Sequence, residues 1–340
     1  MRMSQLAFEF DAPPAPQPQA RRRAAAGVGT RTLEEMARRL EADPDYRVLR
    51  RLVPVMDYGP RPESSADGSA GTRSLLILDT ETTGLVQASD RIIELAMLRV
   101  QVDVATGQPF GPVETFEGFE DPGMPIPAIA REVTGITDEM VRGHRLDDGR
   151  VEAMVAAADL VVAHNAGFDR PFVEARFPAF VLKPWACSLA DIDWKALGAE
   201  SSRLGALAQD RGWFYDAHRA LVDCHALLQV LSCPLGGGGG TGLGRLISAS
   251  QQPRFKLRAT GSPFESKELL KARGYRWDGE GKVWWRSLDG EGPLEAEIAW
   301  LKDEIYGGRR SAQVHVEVLD ALTRFSARPG QVEIRGLSDA

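Results

Sequence analysis

Two acidic residues stand directly after an apolar run. The run Leu75–Leu78 predicts a buried strand, and the segment Asp79–Gly84 follows it with the sequence Asp-Thr-Glu-Thr-Thr-Gly. Because side chains alternate faces along a strand, Asp79 and Glu81 point to the same side. Hard oxygen ligands of this kind select Mg²⁺ or Mn²⁺ over zinc. A strand end followed by a Thr-Gly turn would explain the same residues without chemistry, so other segments must decide.

Two later segments carry an acid or a histidine where a helix is predicted to begin. Asp169 follows the short apolar strand Leu160–Ala163 and lies in the first turn of the next helix, where the helix dipole favours a carboxylate. His218 precedes a helix that carries Asp223 in about its second turn. Taken singly, each of these residues could be an ordinary cap or surface group. His225 points to a different face of that helix and is predicted to be structural.

One α/β domain is predicted to position these segments, over residues 74–233. Its apolar runs predict four strands, at Leu75–Leu78, Arg91–Val100, Glu114–Phe119 and Leu160–Ala163. Helical patterns occur at Val151–Ala158, Phe168–Arg176, Leu204–Asp210 and Leu221–Leu231. A mixed sheet flanked by helices is the simplest architecture for this pattern.

Taken in order, the motifs resemble the DEDDh subfamily of 3′–5′ exonucleases. The motifs are Asp-x-Glu-Thr-Thr-Gly at 79–84, His-Asn-Ala-x-Phe-Asp at 164–169 and His-x4-Asp at 218–223. The segment Thr134–Thr137, between the first two motifs, also looks like a family feature, although it could line a substrate groove or serve packing only. The resemblance covers residues 74–233 and implies an RNase H-like fold, similar to the polymerase III epsilon proofreading subunit and RNase T.

The resemblance implies a role for each motif residue. The family's metal ligands correspond to Asp79, Glu81, Asp169 and Asp223, and its general base corresponds to His218. All five are of the expected type, so the resemblance implies an active enzyme. Val222 stands where many relatives carry an acid, which changes a neighbour of a ligand and leaves the ligand itself in place.

Two ions, Mg²⁺ or Mn²⁺, are expected with this ligand set. Two metals about 3.5–4 Å apart stabilise the attacking and leaving oxygens of an in-line displacement at phosphorus. The first ion is expected on Asp79, Glu81 and Asp223, and the second mainly on Asp79 and phosphate oxygens. Because imidazole accepts a proton near neutral pH, His218 is expected to take the proton of the attacking water.

The terminal nucleotide is expected to lie against residues of the first two motifs. These candidate substrate-binding residues are Thr82, Thr83, Gly84, Asn165 and Phe168. The backbone at Gly84 could come close to the nucleotide, because glycine has no side chain to block it.

The resemblance implies a hydrolase that releases nucleoside 5′-monophosphates from 3′ ends, with DNA as the expected substrate and replication or repair as the setting. An exoribonuclease that trims RNA 3′ ends is an alternative, because nothing in the motifs reads the 2′ position of the sugar. A further alternative, from another class, is an accessory subunit of a polymerase or sliding clamp that binds nucleic acid.

Composition describes an ordinary globular protein. The 340 residues suffice for two domains, and 43% of them are apolar and 26% charged. The net charge of −7 argues against binding phosphate over the whole surface. An odd count of three cysteines without metal-ligand spacing, together with no apolar run of membrane length or signal-peptide core, predicts a cytoplasmic location.

The remaining segments predict appendages to this domain. A disordered tail is expected at 1–29, a helical hairpin at 30–58 that starts with a Thr32–Glu35 capping box, and a linker at 59–73. Within the tail, Gln5–Phe10 resembles the peptides that dock on the bacterial sliding clamp, although a tail without a partner explains it too. A glycine-rich linker is expected at 234–252, and a second tail with a short helix at 316–325 is expected over 308–340.

A small basic and aromatic α+β domain is predicted at 253–307. Between Arg254 and Arg286, nine Lys or Arg residues against four acids give a local charge of +5. Basic grooves with stacking rings suit single-stranded nucleic acid, although a small domain also needs tryptophan for its core. The candidate nucleic-acid contacts are Lys256, Arg258, Lys267, Lys271, Arg276 and Trp285.

Overall fold

A computed structural model describes residues 29–63, 71–238, 240–309 and 311–337. The chain divides into two units, Met1–Val48 and Leu49–Ala340. The expected tail up to residue 28, with its clamp-like segment Gln5–Phe10, lies outside the described residues, as does part of the expected linker, at 64–70.

In its described residues, 29–48, the first unit contains the helix α1 (Gly29–Glu41), which begins three residues before the predicted cap Thr32. The second helix of the predicted hairpin does not form. Instead β1 (Arg50–Arg51), at the start of the second unit, pairs in parallel with β7 (Trp213–Phe214). Backbone hydrogen bonds to a distant segment replace the local bonds that a helix would have made, so the prediction of a helical hairpin over 30–58 is wrong in its second half.

One of the two five-stranded sheets of the second unit has the strand order β4-β3-β2-β5-β6. Their bounds are β2 (Thr72–Thr82), β3 (Ile92–Asp103), β4 (Pro109–Phe119), β5 (Leu160–Ala163) and β6 (Trp185–Cys187). Strand β2 pairs antiparallel with β3 and parallel with β5, so the sheet is mixed. We call it the catalytic sheet because its strand β2 carries the predicted catalytic residues Asp79 and Glu81.

Helices cover both faces of the catalytic sheet. They are α2 (Ala128–Thr134), α3 (Asp138–Val141), α4 (Asp148–Ala156), α5 (Ala166–Arg176), α6 (Leu204–Asp210) and α7 (Ala220–Ser232). Residues Leu75 and Ile77 of β2 face one hydrophobic core with α7, and Leu76 and Leu78 face another with α4 and α5. This arrangement confirms the predicted α/β architecture of a mixed sheet flanked by helices. Within the described ranges, none of the helices combines the length and apolarity needed to cross a membrane.

The predicted glycine-rich linker holds a packed helix. Residues 242–250 form α8 (Gly242–Ser250), and the hydroxyl of Thr241 accepts a hydrogen bond from the Gly244 N–H at 3.1 Å. Leu243 and Leu246 are buried in the same core as α7. The flexible tether expected at 234–252 is therefore wrong beyond the short glycine turn, because a capped amphipathic helix follows it.

The C-terminal residues form a second five-stranded sheet, in the order β12-β11-β8-β10-β9. Its elements are β8 (Arg254–Ala259), α9 (Lys267–Ala272), β9 (Arg276–Asp278), β10 (Val283–Asp289), α10 (Glu291–Trp300), β11 (Gln313–Leu319) and β12 (Gln331–Gly336). The predicted α+β domain is present, but it extends into the expected tail. A strand replaces the start of the helix predicted at 316–325, because Val314 and Val316 alternate into the core.

The loop between β11 and β12 packs onto the catalytic sheet beside α5. The fully buried guanidinium of Arg170, on α5, donates to the carbonyl oxygens of Leu322 at 2.5 Å and Arg324 at 2.6 Å. The N–H of Trp185, in the edge strand β6, donates to Ala321 O at 2.8 Å. The C-terminal residues thus close one edge of the catalytic sheet and hold the helix that carries Asp169.

Candidate active site

Three carboxylates meet at the end of the central strand β2. Asp79 and Glu81 project from the same side of β2, and Asp223 reaches them from the first turn of α7. One oxygen from each carboxylate lies within 4.8 Å of the others. The structure thus brings together three of the four predicted ligands, from segments more than 140 positions apart.

Asp169 occupies a buried position on the adjoining helix α5. One of its carboxylate oxygens, Oδ1, accepts hydrogen bonds from the Thr80 N–H at 3.1 Å and the Thr80 hydroxyl at 2.7 Å. Thr80 lies between Asp79 and Glu81 in β2, so these bonds fix Asp169 to the strand that carries the cluster. The N-cap Asn165 has a left-handed backbone (φ 76°), which turns the chain from β5 into α5.

Two neighbours orient the carboxylate of Asp223. The Tyr215 hydroxyl donates to Oδ1 at 3.0 Å, and the His218 backbone N–H donates to Oδ2 at 2.9 Å. His218 has a left-handed backbone (φ 68°), and its residue is exposed. The predicted base is thus tied to a predicted ligand through its backbone while its side chain lies at the surface.

A fifth acid, Glu94, lies beneath the cluster. It pairs with Glu81 in the register of β2 and β3 and is fully buried. Its carboxylate accepts hydrogen bonds from the Ala220 N–H and the Arg219 guanidinium, both at 3.1 Å. Glu94 therefore holds the start of α7, the helix that carries Asp223. Sequence reasoning missed Glu94 and Tyr215, although an acid inside the apolar run of β3 was a signal.

Burial and mutual repulsion raise the pKa of these carboxyl groups. The pKa of Asp79 is raised well above its usual range, first by burial and then by the charges of Asp169 and Asp223. Burial raises the pKa of Glu81 to about 8, with Asp223 and Glu94 adding to the effect. Burial likewise raises the pKa of Asp169, against its two hydrogen bonds from Thr80. An acidic cluster of this kind is relieved by cations, so the donor set fits divalent metal ions.

The threonines and glycine of the first motif serve the local turn. The hydroxyl of Thr82 donates to Gly84 O at 2.6 Å, and Thr83 is buried and accepts a hydrogen bond from the Arg91 N–H at 3.0 Å. A Cβ on Gly84 would lie 2.6 Å from the Asp90 carboxylate. Asp90 therefore fills the space that the missing side chain leaves at Gly84. This corrects the expectation that glycine is needed there to let a nucleotide come close to the backbone.

The second motif divides between surface and core. Asn165 is exposed, whereas Phe168 is partly buried and packs against Phe172 with 5.2 Å between ring centroids. His164 Nδ1 lies 2.7 Å from the Ser188 hydroxyl, and burial lowers the pKa of its imidazole to about 4. A neutral His164 therefore supports the turn between β5 and α5.

The segment Thr134–Thr137 packs against the fold. Gly135 ends α2 in a left-handed conformation, and Ile136 is fully buried with Ile93 and Ile126. Packing accounts for this segment, which the sequence left open between packing and a substrate groove.

The candidate nucleic-acid contacts of the C-terminal domain separate into two groups. Lys256, Arg258, Arg276 and Trp285 lie on strands β8, β9 and β10. Lys267 and Lys271 lie on α9, whose Leu270 is buried in the domain's hydrophobic core. The structure therefore does not unite all six residues in one surface.

Comparison with known proteins shows which family the domain resembles. A family model described as exonuclease, RNase_T, matches residues 76–231, the region that carries all five predicted catalytic residues. DNA polymerase III PolC-type of Listeria welshimeri is 38% identical over 103 residues, which is 30% of this chain and 7% of that protein. The corresponding protein of Thermotoga maritima is 29% identical over 181 residues, 49% of this chain and 12% of that protein. Residues 76–231 are therefore similar to this exonuclease family.

The chain matches only a small part of these relatives, between 7% and 12% of their length in the two cases given. Among solved structures, "Exonuclease X in complex with 5' overhanging duplex DNA" is 27% identical, and the alignment covers 46% of this chain and 89% of that one. Its TM-score of 0.37 is too low to establish a common fold.

Proposed function

We propose that this protein is a metal-dependent 3′–5′ exonuclease that releases nucleoside 5′-monophosphates, with DNA as its substrate. The carboxylate cluster of Asp79, Glu81 and Asp223 carries this proposal, because its oxygens lie within 4.8 Å of one another at a site where their negative charges are poorly compensated. The family of the domain supports the same chemistry.

The ligand set proposed for two Mg²⁺ or Mn²⁺ ions is Asp79, Glu81, Asp169 and Asp223. When bound, such ions supply charge stabilisation to the attacking and leaving oxygens. Tyr215 and the backbone N–H of His218 keep the Asp223 carboxylate oriented, and Thr80 does the same for Asp169.

The exposed His218 is the proposed general base. Its imidazole accepts the proton of the attacking water, and the water oxygen bonds to the phosphorus of the terminal nucleotide. The bond from that phosphorus to the 3′ oxygen of the preceding nucleotide breaks, and this oxygen takes a proton from solvent. The shortened strand keeps a 3′ hydroxyl and the nucleotide leaves as a 5′-monophosphate. Because His218 lies outside the buried core, its ring is free to meet the solvent-facing side of the substrate.

DNA is favoured as substrate by the relatives that are DNA polymerases of the PolC type. Asn165 and Phe168, at the start of α5, together with the backbone of residues 82–84, are the proposed neighbours of the terminal nucleotide. A cytoplasmic location is proposed with it, since Cys187, Cys224 and Cys233 are all free thiols.

The test uses oligonucleotides labelled at the 3′ or the 5′ end, as DNA and as RNA, incubated with Mg²⁺, Mn²⁺ or EDTA. The proposal expects a metal-dependent ladder on 5′-labelled DNA, immediate release of the label as a mononucleotide from 3′-labelled DNA, and slower attack on RNA. Digestion from the 5′ end would overturn the mechanism, and faster attack on RNA would reassign the substrate. Nucleic-acid binding without any cleavage would favour an accessory subunit.

Matched substitutions separate chemistry from folding. His218→Gln should lower the rate by about 10²–10⁴-fold, the usual contribution of a general base. His144→Gln changes an exposed histidine in the loop after α3 and should leave the rate within about twofold. Equal effects of the two substitutions would remove His218 from its proposed role.

A further inference from the structure

The face of the second sheet that turns away from its hydrophobic core carries a ring between two cations. In β8, Phe255 and Leu257 point into the core, so Lys256 and Arg258 point to the other face. Strand register places Trp285 directly beside Arg258 on one side and Arg276 on the other. Directly paired residues share a face. We call Lys256, Arg258, Arg276 and Trp285 the basic face.

Side-chain distances agree with this register. The Lys256 Nζ lies 4.6 Å from the centroid of the Trp285 ring, and the Arg276 guanidinium carbon lies 5.8 Å from it. Two cations thus contact one half-buried indole. A cation near an aromatic face is attracted by about 0.5–1 kcal/mol at an exposed site, so either cation can leave the ring for a stronger partner.

The charges of the two sides of this sheet are balanced differently. On the core side, Glu297 pairs with Arg273 and Arg286, each at 2.9 Å. On the basic face, Arg258 pairs with Glu317 at 2.8 Å. No ion pair of Lys256 or Arg276 occurs in the described parts of the chain. Glu317 stands opposite Lys256 in the register of β8 and β11 but pairs with Arg258, and Asp278 interacts electrostatically with Lys256 at longer range. Among the described residues, the basic face therefore keeps two cations without an ion pair beside a ring, in a chain whose net charge is −7.

We propose that the basic face binds single-stranded nucleic acid. A base can stack on Trp285 while Lys256 and Arg276 bind the flanking phosphates, which is how sequence-tolerant single-strand sites work. A duplex hides its base faces and would gain nothing from the ring, and an acidic peptide would use the cations alone. This inference rests on the proposed exonuclease function and deepens it. The strand that binds the basic face is the same strand whose 3′ end is cleaved at the carboxylate cluster.

Point substitutions in the full-length chain are the appropriate test. Removing residues 236–340 would also remove α8 and the contacts of the β11–β12 loop with Arg170, so the catalytic sheet would lose part of its packing. The charge-reversal pair Lys256→Glu with Arg276→Glu alters only the basic face. Lys267→Glu with Lys271→Glu makes the same change of charge on the exposed side of α9 and is the matched control.

Binding is measured as the fluorescence anisotropy of a labelled 20-nucleotide oligo-dT, in an Asp79→Asn background that prevents digestion. The basic-face pair should weaken binding about tenfold or more and flatten its dependence on salt, whereas the α9 pair should stay within about twofold. Trp285→Leu should weaken oligo-dT binding about tenfold with little effect on the salt dependence, because it removes stacking and leaves the phosphate contacts.

Three results would overturn the inference. They are equal losses in the basic-face and α9 pairs, equal binding of duplex and single strand, and binding of a poly-glutamate peptide as tight as that of oligo-dT. Cleavage of a trinucleotide by the unsubstituted protein reports the chemistry separately. If the trinucleotide is cleaved and the basic-face pair still binds oligo-dT normally, the inference fails while the proposed function stands. If binding falls as predicted but no substrate is cleaved, the proposed function fails.

Discussion

The two five-stranded sheets of this protein carry charged groups of opposite sign in different environments. The catalytic sheet is covered by helices on both faces and gathers Asp79, Glu81 and Asp223 at the end of its central strand, where burial raises the pKa of Asp79 and Glu81. The C-terminal sheet is packed on one face and presents Lys256 and Arg276 on the other. A partly buried set of like charges needs cations to be stable, whereas two cations on an open face of a sheet are ready for an anion.

This difference indicates a division of labour. Hydrolysis of a phosphodiester requires charged groups that are fixed in position and partly shielded from water, and the carboxylate cluster meets that requirement. Holding a flexible strand requires exposed rings and cations, which the basic face provides. The loop between β11 and β12 joins the two sheets, because it supplies the carbonyl oxygens that the buried Arg170 binds.

The largest expected effect is on the catalytic sheet. Asp79→Asn should lower the rate of 3′-end cleavage by at least about 10³-fold, which corresponds to about 4 kcal/mol of lost transition-state stabilisation. Asp303→Asn makes the same chemical change at an exposed position of the C-terminal domain and should leave the rate unchanged within about twofold. Initial rates at saturating Mg²⁺ give the comparison, and a loss of less than tenfold in Asp79→Asn would contradict the assignment.

The next largest effect concerns the contact between the β11–β12 loop and α5, which connects the two sheets. Arg170→Met removes the cation that binds Glu174 at 2.7 Å and three loop carbonyls, and should lower the free energy of unfolding by about 3–5 kcal/mol. Arg131→Met breaks a partly exposed ion pair with Asp138 and should cost about 0–1 kcal/mol. Urea unfolding of both variants measures the difference. Equal stability of the two would show that the loop is not needed to hold α5.

A smaller effect follows from the raised pKa of Glu81. Burial and neighbouring acids raise this pKa from 4.5 to about 8, so the folded protein binds a proton more tightly than the unfolded chain does. Tighter proton binding at Glu81 stabilises the folded state relative to the unfolded chain. Without metal, this stabilisation is fully present below pH 4.5 and is lost as the pH rises towards 8. Glu81→Gln should therefore stabilise the EDTA-treated protein at pH 8 by about 1 kcal/mol or more, a rise of about 2–4 °C in Tm.

Thermal unfolding in EDTA and in Mg²⁺ tests this prediction. The stabilising effect of Glu81→Gln should shrink at pH 5, and added Mg²⁺ should raise the Tm of the unsubstituted protein more than that of the variant. Glu152→Gln, at an exposed position of α4, should change Tm little under any of these conditions. A Glu81→Gln protein that is less stable in EDTA at pH 8 would refute the account of repulsion in the cluster.

The smallest expected effect is that of an orienting residue. Tyr215→Phe removes only the tyrosine hydroxyl, and with it the 3.0 Å hydrogen bond to Asp223. The loss is worth about 1 kcal/mol, so about three- to tenfold more Mg²⁺ should be needed for half-maximal rate. A Mg²⁺ titration of both proteins checks this, and an unchanged midpoint would show that Tyr215 has no part in placing the carboxylate.

The sequence predicts the catalytic sheet much better than the rest of the chain. The runs at Leu75–Leu78 and Leu160–Ala163 are short, apolar and flanked by turn residues, and both form strands of the predicted sheet. Alternation and helical spacing are local signals, so the mixed sheet and its flanking helices could be predicted. The motif residues Asp79, Glu81 and Asp223 could be placed together only through the resemblance to the exonuclease family, because local patterns locate each residue in an element but do not show which elements meet.

The errors have a common physical origin in contacts between distant residues. Glu94 acts through its register with Glu81 and its hydrogen bond to Ala220, neither of which a local pattern shows. Strand β1 forms because of its pairing with β7, 163 positions away at Arg50 and Trp213. The glycines at 236–240 masked the capped helix α8, although the spacing of Leu243 and Leu246 was available as a signal.

The central claim is hydrolysis at a 3′ end by the carboxylate cluster, and the mass of the released nucleotide in ¹⁸O-water tests it most directly. Attack of water on phosphorus with loss of the 3′ oxygen places one solvent oxygen on the product. The account predicts that each released nucleoside 5′-monophosphate is about 2 Da heavier than in ordinary water, that product forms only when Mg²⁺ or Mn²⁺ is present, and that none forms with Asp79→Asn. Nucleoside 3′-monophosphates, unlabelled 5′-monophosphates, or labelled product from Asp79→Asn would contradict it.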